Sequence, residues 1–252
     1  MTLLLHQLRY DQKVFWRNPA AVFFTVLFPV VLLLIFATIF GDQRIGKDGI
    51  EVTTYYVPAI ITLSIVSATL QTLAMSLVIA REDGRLKRGR GTPMPAWVFI
   101  AGRVGNSIVV AVLMLALVSA LGRLFYGVPV PWSRAPDLLF VLTVGAASFC
   151  CMGIALTALI PSQDAAAPIV NALLLPLYFL SGVFVPEDEL PSGVIDFANH
   201  FPIRPFFQAI YDAYLPGNGP ALAWDHMAVV AIWGVAGLVL AIRFFRWAPR
   251  RG

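Results

Sequence analysis

The sequence predicts an all-α polytopic membrane protein. It has six transmembrane helices, an N-terminal amphipathic interface helix, a short charged cytoplasmic helix between spans two and three, and an extracellular re-entrant hairpin between spans five and six. Three observations carry this. Of 252 residues, 59% are apolar and only 13% charged, with a mean hydropathy of +0.79. Soluble domains carry about a quarter of charged residues, so this chain cannot cover a water-exposed surface. Six apolar stretches approach or exceed the roughly 20 residues that span a bilayer. The basic residues gather in alternate loops.

The first nineteen residues, MTLLLHQLRYDQKVFWRNP, have helical periodicity. His6, Arg9, Lys13 and Arg17 share one face, with Leu4, Leu8 and Phe15 opposite and Leu5 and Trp16 on the flank. Such a helix lies in the membrane interface, apolar face toward the acyl boundary and basic face toward anionic headgroups. A plain charged anchor would share this pattern. Pro19 separates it from the first span, 20–40. That span is too long for a signal-peptide core and no A-x-A-like site follows it, so it is expected to remain in the mature protein.

The remaining spans follow at 55–80, 97–126, 138–160, 165–186 and 224–247. Trp16, Tyr55, Tyr56, Trp97, Tyr126, Trp224 and Trp247 fall near span ends, where amphipathic rings settle. Thirteen of the eighteen basic residues lie in the N-terminal segment, the 81–95 loop with Arg103, and the C-terminal tail. Arg44, Lys47, Arg123, Arg134 and Arg204 lie on the other side. Both termini and the 81–95 loop are therefore expected in the cytoplasm. The surplus positive charge is explained by loops and does not indicate nucleic acid.

The segment REDGRLKRGRGTPMP, 81–95, reads as a short helix with Glu82 and Asp83 at its N-terminal end and Lys87 and Arg88 at its C-terminal end. Leu86 is its one large apolar residue before Met94. The alternative is a positive-inside loop and nothing more. Residues 187–223 are too apolar for a solvent loop and too interrupted, at Pro202 and Pro205, for a full span. Two short helices that dip into the outer leaflet and return would satisfy both facts, since irregular backbone at that depth needs cover. An extracellular cap lying flat is the alternative.

Enzymatic chemistry finds no footing. The adjacent Cys150 and Cys151 sit in an apolar run with no ligand partners, and His6, His200 and His226 are scattered, so no metal site is expected. Residues 41–48, GDQRIGKD, match the first seven positions of a phosphate loop. Asp48 stands where Ser or Thr should hold magnesium, and no strand precedes it, so the match is fortuitous. Apart from Arg103, the span interiors carry no ionisable residue, which disfavours an ion-coupled carrier. Gln71, Asn106 and Asn171, with hydroxyls such as Ser64, Ser67 and Thr69, are the polar candidates for a substrate path, and interhelical hydrogen bonding is the alternative role for most of them. Small residues such as Ala116, Ala120 and Gly153 let helices approach.

This arrangement resembles the ABC-2 type exporter permeases over nearly the whole chain. The most specific segment, Arg81-Glu82-Asp83-Gly84-Arg85-Leu86-Lys87-Arg88 through Thr92-Pro93, is similar to the R-E-x-G-T-L-K-R-x-x-x-T-P pattern of the daunorubicin-resistance type, the drug-export branch. LSGVFVP at 180–186, Leu190-Pro191 and Phe201-Pro202 resemble that family's end of span five and start of the hairpin. Arg85 stands where the family has Thr, and Gly89 and Gly91 loosen the basic segment.

The resemblance implies that Glu82, Asp83, Leu86, Lys87 and Arg88 form a coupling helix seated in a separate ATP-binding subunit. The interface helix with Arg9, Lys13 and Arg17 would pack on that subunit. ATP and magnesium would belong to the partner, and this chain would hold no cofactor. A second permease copy, identical or related, would complete the path, in a bacterial cytoplasmic membrane. Hydrophobic drugs or lipids would be the cargo, with glycan export the nearest rival. A membrane interaction subunit without transport activity is the reading from another class.

Overall fold

The structure, a computed structural model, describes residues 2–40, 43–45, 49–90, 96–215 and 223–245. Helices dominate: α1 (Thr2–Trp16), α2 (Pro19–Phe40), α3 (Val52–Glu82), α4 (Arg85–Arg90), α5 (Ala96–Tyr126), α6 (Ala135–Leu156), α7 (Gln163–Leu180), α8 (Ser192–Ala198), α9 (Ile203–Tyr214) and α10 (Trp224–Phe244). Six of them, α2, α3, α5, α6, α7 and α10, are long and apolar enough to cross a membrane. The fortuitous phosphate-loop match lies largely outside the described residues. At its edges a two-residue antiparallel ladder joins β1 (Arg44–Ile45) to β2 (Ile50–Glu51), with Arg44 opposite Glu51.

The second span, α3, is the axis of the bundle. Its first half touches α2, α5 and α9, and its second half touches α6 and α7. Ile60, Ile61 and Ile65 are wholly buried there beside Met114 of α5, Phe149 of α6 and Phe206 of α9. In lipid, burial of hydrocarbon gives little net drive, so contact density must hold helices together. Glycines supply it where α10 crosses α6. A methyl on Gly237 would come within 2.8 Å of the Met152 amide nitrogen. A methyl on Gly153 would come within 2.9 Å of the Leu70 carbonyl oxygen. Ala116 and Ala120 are exposed and do not serve approach between helices of this chain.

The hydroxyls of α3 mostly do not link helices. Ser64 Oγ donates to the Ile60 carbonyl at 2.7 Å and Thr69 Oγ1 to the Ile65 carbonyl at 2.6 Å. An unpaired hydroxyl is costly in an apolar interior, and the carbonyl one turn back is always within reach. Ser67 alone of the three reaches another span, at 3.5 Å from Tyr178 Oη of α7. Both α2 and α3 contain a single π-turn, at Phe23–Leu27 and Ser67–Gln71. The two turns meet through Thr25 and Thr72, whose hydroxyls are 3.1 Å apart.

Two span ends differ from the apolar runs. α6 stops at Leu156, although the sequence stays apolar to Ile160, because turns take over. α7 stops at Leu180, where Ser181 Oγ caps the Tyr178 carbonyl and Gly182 turns with φ +89°. Hydroxyls of Tyr55 and Tyr56 then take the carbonyls of Gly182 and Phe184. Apolar composition continues through both turns, so hydropathy alone could not see them.

Residues 187–215 form two short helices. Pro202 is the N-cap of α9 and Pro205 lies in its first turn. The segment is broken into two short helices just before Pro202, as the sequence suggests, while Pro205 lies within the second helix. A helix start has no partner for those amides, so proline is well placed there. The bend lies at Asn199–Phe201. α9 is buried nearly all round among α3, α6, α7 and α10, and residues 216–222 of the same segment lie outside the described residues.

Candidate functional site

The interface helix is held by the third span. Gly102 and Gly105 of α5 leave room for Gln7 and Leu8 of α1. Leu8, Asp11 and Phe15 form the inward stripe, and Asp11 is 2% exposed. Its carboxylate lies 3.4 Å from Arg103 Nε and accepts from Gln7 Nε2 at 3.1 Å. Arg103 also donates to Ser76 Oγ at 3.3 Å. Burial pushes the Asp11 carboxyl above the usual carboxylate range, and Arg103 opposes that rise. His6, Arg9, Lys13 and Arg17 all point outward, while Leu3, Leu5, Tyr10 and Trp16 stay exposed. The stripe expected in the acyl boundary is thus taken by α5, and the flank is the free apolar surface.

The signal for this pairing was in the sequence. An acid at position 11 interrupts the 4–8–15 stripe of α1, and Arg103 was the one ionisable residue inside a span. Each explains the other.

The charged loop is built differently from its sequence reading. Glu82 ends α3 and Asp83 caps it, so the acidic pair closes the second span and does not open α4. Gly84, at φ +69°, makes the break that only glycine adopts cheaply. Carboxylates at a helix C-terminus meet the unfavourable end of the dipole. Basic neighbours offset this. Arg81 Nε lies 3.0 Å from Glu82, and Arg85 lies 3.1 Å from Asp83.

Arg81 is the residue the sequence reading missed. It is 2% exposed and donates to the carbonyls of Thr157 at 3.0 Å, Ile160 at 2.8 Å and Pro161 at 3.4 Å. Those carbonyls belong to the turn between α6 and α7, which has no helical donors for them. Counted only as a loop charge, Arg81 is instead the tie between the second span and the elbow of spans four and five.

Leu86 requires a correction. It is 2% exposed and belongs to a cluster with Leu77, Cys150, Ile154 and Ala241. It anchors α4 to this chain's own bundle and offers no side chain to a partner's pocket. Lys87 is exposed, and the Asp83–Arg85 pair is half exposed. The Arg88 side chain and residues 91–95 lie outside the described residues.

Of the three amide candidates for the path, two come together. Gln71 Nε2 of α3 donates to Asn171 Oδ1 of α7 at 3.0 Å, on an exposed face. Asn106 lies elsewhere, in a cavity of about 50 Å³ beside Asp11, Ser76 and Arg103, where its Oδ1 has no hydrogen-bond partner among the described residues. Pro202 and Pro205 start a helix that is pinned by Arg204. This buried guanidinium lies 2.8 Å from Glu187 and donates to Asn199 Oδ1 at 2.8 Å. Trp233 Nε1 of α10 donates to the His200 carbonyl at 2.8 Å. Among the described residues no cluster of His, Cys, Asp or Glu could hold a metal ion.

Comparison with known proteins agrees on one family. The model of the family described as ABC-2 type transporter matches residues 2–215. The chain is 23% identical over 181 residues to "Probable multidrug ABC transporter permease YbhR" of Escherichia coli (strain K12), covering 72% of this chain and 49% of that protein. The chain thus spans about half the length of this relative. It is 26% identical over 171 residues to "Inner membrane transport permease YadH" of the same strain, covering 66% of each.

Proposed function

The chain belongs to the ABC-2 type transporter family, and from that premise we propose that it is the membrane subunit of an exporter moving hydrophobic drugs or lipid-like compounds out of the cell. A separate ATP-binding subunit supplies the energy, holds the ATP and magnesium, and docks on α4 and the basic face of α1. A second permease copy or a related one completes the path. The membrane is a bacterial cytoplasmic membrane with both termini on the cytoplasmic side, an orientation supported by the loop charges.

One observation carries the coupling role. The loop is exposed at Asp83, Arg85 and Lys87, yet tied rigidly beneath by Arg81 and Leu86. A push on α4 is passed to the elbow of spans four and five through Arg81, because three charged hydrogen bonds resist separation more than a flexible loop would. Glu82 orients Arg81 and is a positioning residue. Lys87 and Arg88, together with the half-exposed Asp83–Arg85 pair, are the contact charges, each worth about 0–1 kcal/mol as an exposed pair.

The Gln71–Asn171 pair supports a path on the face of α3 and α7. An exposed amide pair in an apolar span is expensive against lipid and inexpensive against a water-filled path. The name of the first relative, a multidrug permease, favours drugs over glycans as cargo.

The hairpin of α8 and α9 is read as dipping into the outer leaflet. Trp233, nine residues into α10, holds the bend at His200, which is roughly 14 Å below the start of that span at 1.5 Å per residue. A flat cap would not meet α10 so far down.

The test is biochemical. The full chain, purified from its native membrane, should bring an ATP-binding-cassette protein with it. It should also raise that protein's ATPase rate when reconstituted with a hydrophobic cargo. A chain that leaves the ATPase rate unchanged would instead be an interaction subunit.

A further inference from the structure

Between α7 and α10 the bundle carries a groove of about 480 Å³, with Leu70, Phe149 and Met152 on its floor. Every residue that lines it is apolar or aromatic. The bend between α8 and α9 closes one end with Phe201 and Pro202, and the indole N–H there is already spent on His200. The other end is open, with Leu159 and Phe244 exposed. Arg243, also exposed, lies there with its guanidinium 5.7 Å from the Phe244 ring. Arg246, Arg250 and Arg251 follow in the sequence.

The dimensions select an occupant. From Trp233 to Phe244 the helix rises about 16 Å at 1.5 Å per residue, close to half of a hydrocarbon core of about 30 Å. The groove is therefore one leaflet deep, closed at mid-membrane and edged by a cation at the surface. Pockets for drug-sized molecules carry a few convergent polar groups that fix orientation. This one offers none along its length and a positive charge only at its mouth.

We propose that the groove is a lipid site, holding one acyl chain of a phospholipid of net negative charge with its headgroup against Arg243. The lipid belongs to the leaflet beside the basic loops.

The full chain can be placed in phosphatidylcholine nanodiscs with rising fractions of one lipid brominated near its chain end. That lipid is phosphatidylglycerol in one series and phosphatidylcholine in the other. Quenching at Trp233 is the difference between the wild type and Trp233→Phe. The glycerol lipid should quench at about fivefold lower mole fraction, the preference one basic residue confers near an anionic surface. In Arg243→Gln that preference should vanish while quenching by the choline lipid is unchanged. Equal quenching by both lipids in the wild type would mean ordinary surrounding lipid and would overturn the proposal. A preference that survives Arg243→Gln would overturn it too. So would a Trp233 that neither lipid reaches, as when a second copy or another protein fills the groove.

Discussion

The guanidinium of Arg81 lies 2.8 Å from the carbonyl oxygen of Ile160, seventy-nine residues along the chain. A single side chain thereby joins the last turn of the second span to the elbow between the fourth and fifth. The same geometry sets the strongest expectation about coupling.

Arg81→Lys keeps the charge but cannot reach Thr157, Ile160 and Pro161 together from one nitrogen. Each lost charged hydrogen bond costs about 1.5–3 kcal/mol, so the thermal midpoint in detergent should fall. Export should drop by about tenfold or more, equivalent to about 1.4 kcal/mol, while the ATP-binding subunit still co-purifies. Normal export by Arg81→Lys would leave Arg81 as a structural cap alone.

Asp11 and Arg103 should behave as a unit. Removing one member of a buried pair costs about 3–5 kcal/mol, because the other is left uncompensated, whereas removing both is far milder. Asp11→Leu and Arg103→Met should each lower stability more than the double variant does. A double variant as unstable as the two singles combined would show that no coupling exists.

The same pair has a pH signature. Burial raises the folded-state pKa of Asp11 above 3.8, so the folded chain binds this proton more tightly than the unfolded chain. Its contribution to stability is greatest at or below 3.8 and is lost as pH rises through the higher folded-state value. Thermal midpoints of wild type and Asp11→Asn, compared across the acidic range, should differ by this slope. Parallel curves would contradict it.

Leu86→Ala should destabilise the chain by about 2–5 kcal/mol, the cost of emptying a buried leucine site. Lys87→Glu, being exposed, should leave the midpoint almost unmoved and weaken ATPase stimulation at low salt. If Leu86→Ala is as stable as wild type, its side chain is not part of the bundle.

Orientation can be read with an impermeant maleimide on whole cells, using single cysteines in a variant without Cys150 and Cys151. Glu189→Cys should label strongly and Lys87→Cys should not. The opposite pattern would invert the proposed topology.

The number of spans and their order were legible because composition alone separates apolar runs of this length from loops. The ends of spans four and five were not legible. Leu156 to Ile160 and Ser181 to Phe184 are as apolar as a span, and what stops the helices there is distant. Arg81 takes carbonyls past α6, and Tyr55 and Tyr56 take them past α7. Leu86 misled for a related reason. A lone leucine in a charged loop must be buried somewhere, and sequence cannot say whether in its own chain or in a partner. Gln71 and Asn171 stood out as polar residues in apolar runs, but their pairing across one hundred positions needed the fold.

The two π-turns have a mechanical consequence. Gln71 closes the turn in α3, the turn in α2 faces it at Thr25 and Thr72, and Asn171 of α7 lies between Pro168 and Pro176. A π-turn and a proline each subtract a regular backbone hydrogen bond from a helix. Three neighbouring helices therefore give up stiffness at similar depths, about 9–17 Å from their ends on the basic-loop side at 1.5 Å per residue. The bundle has a crease there, and the amide pair sits on the fold line.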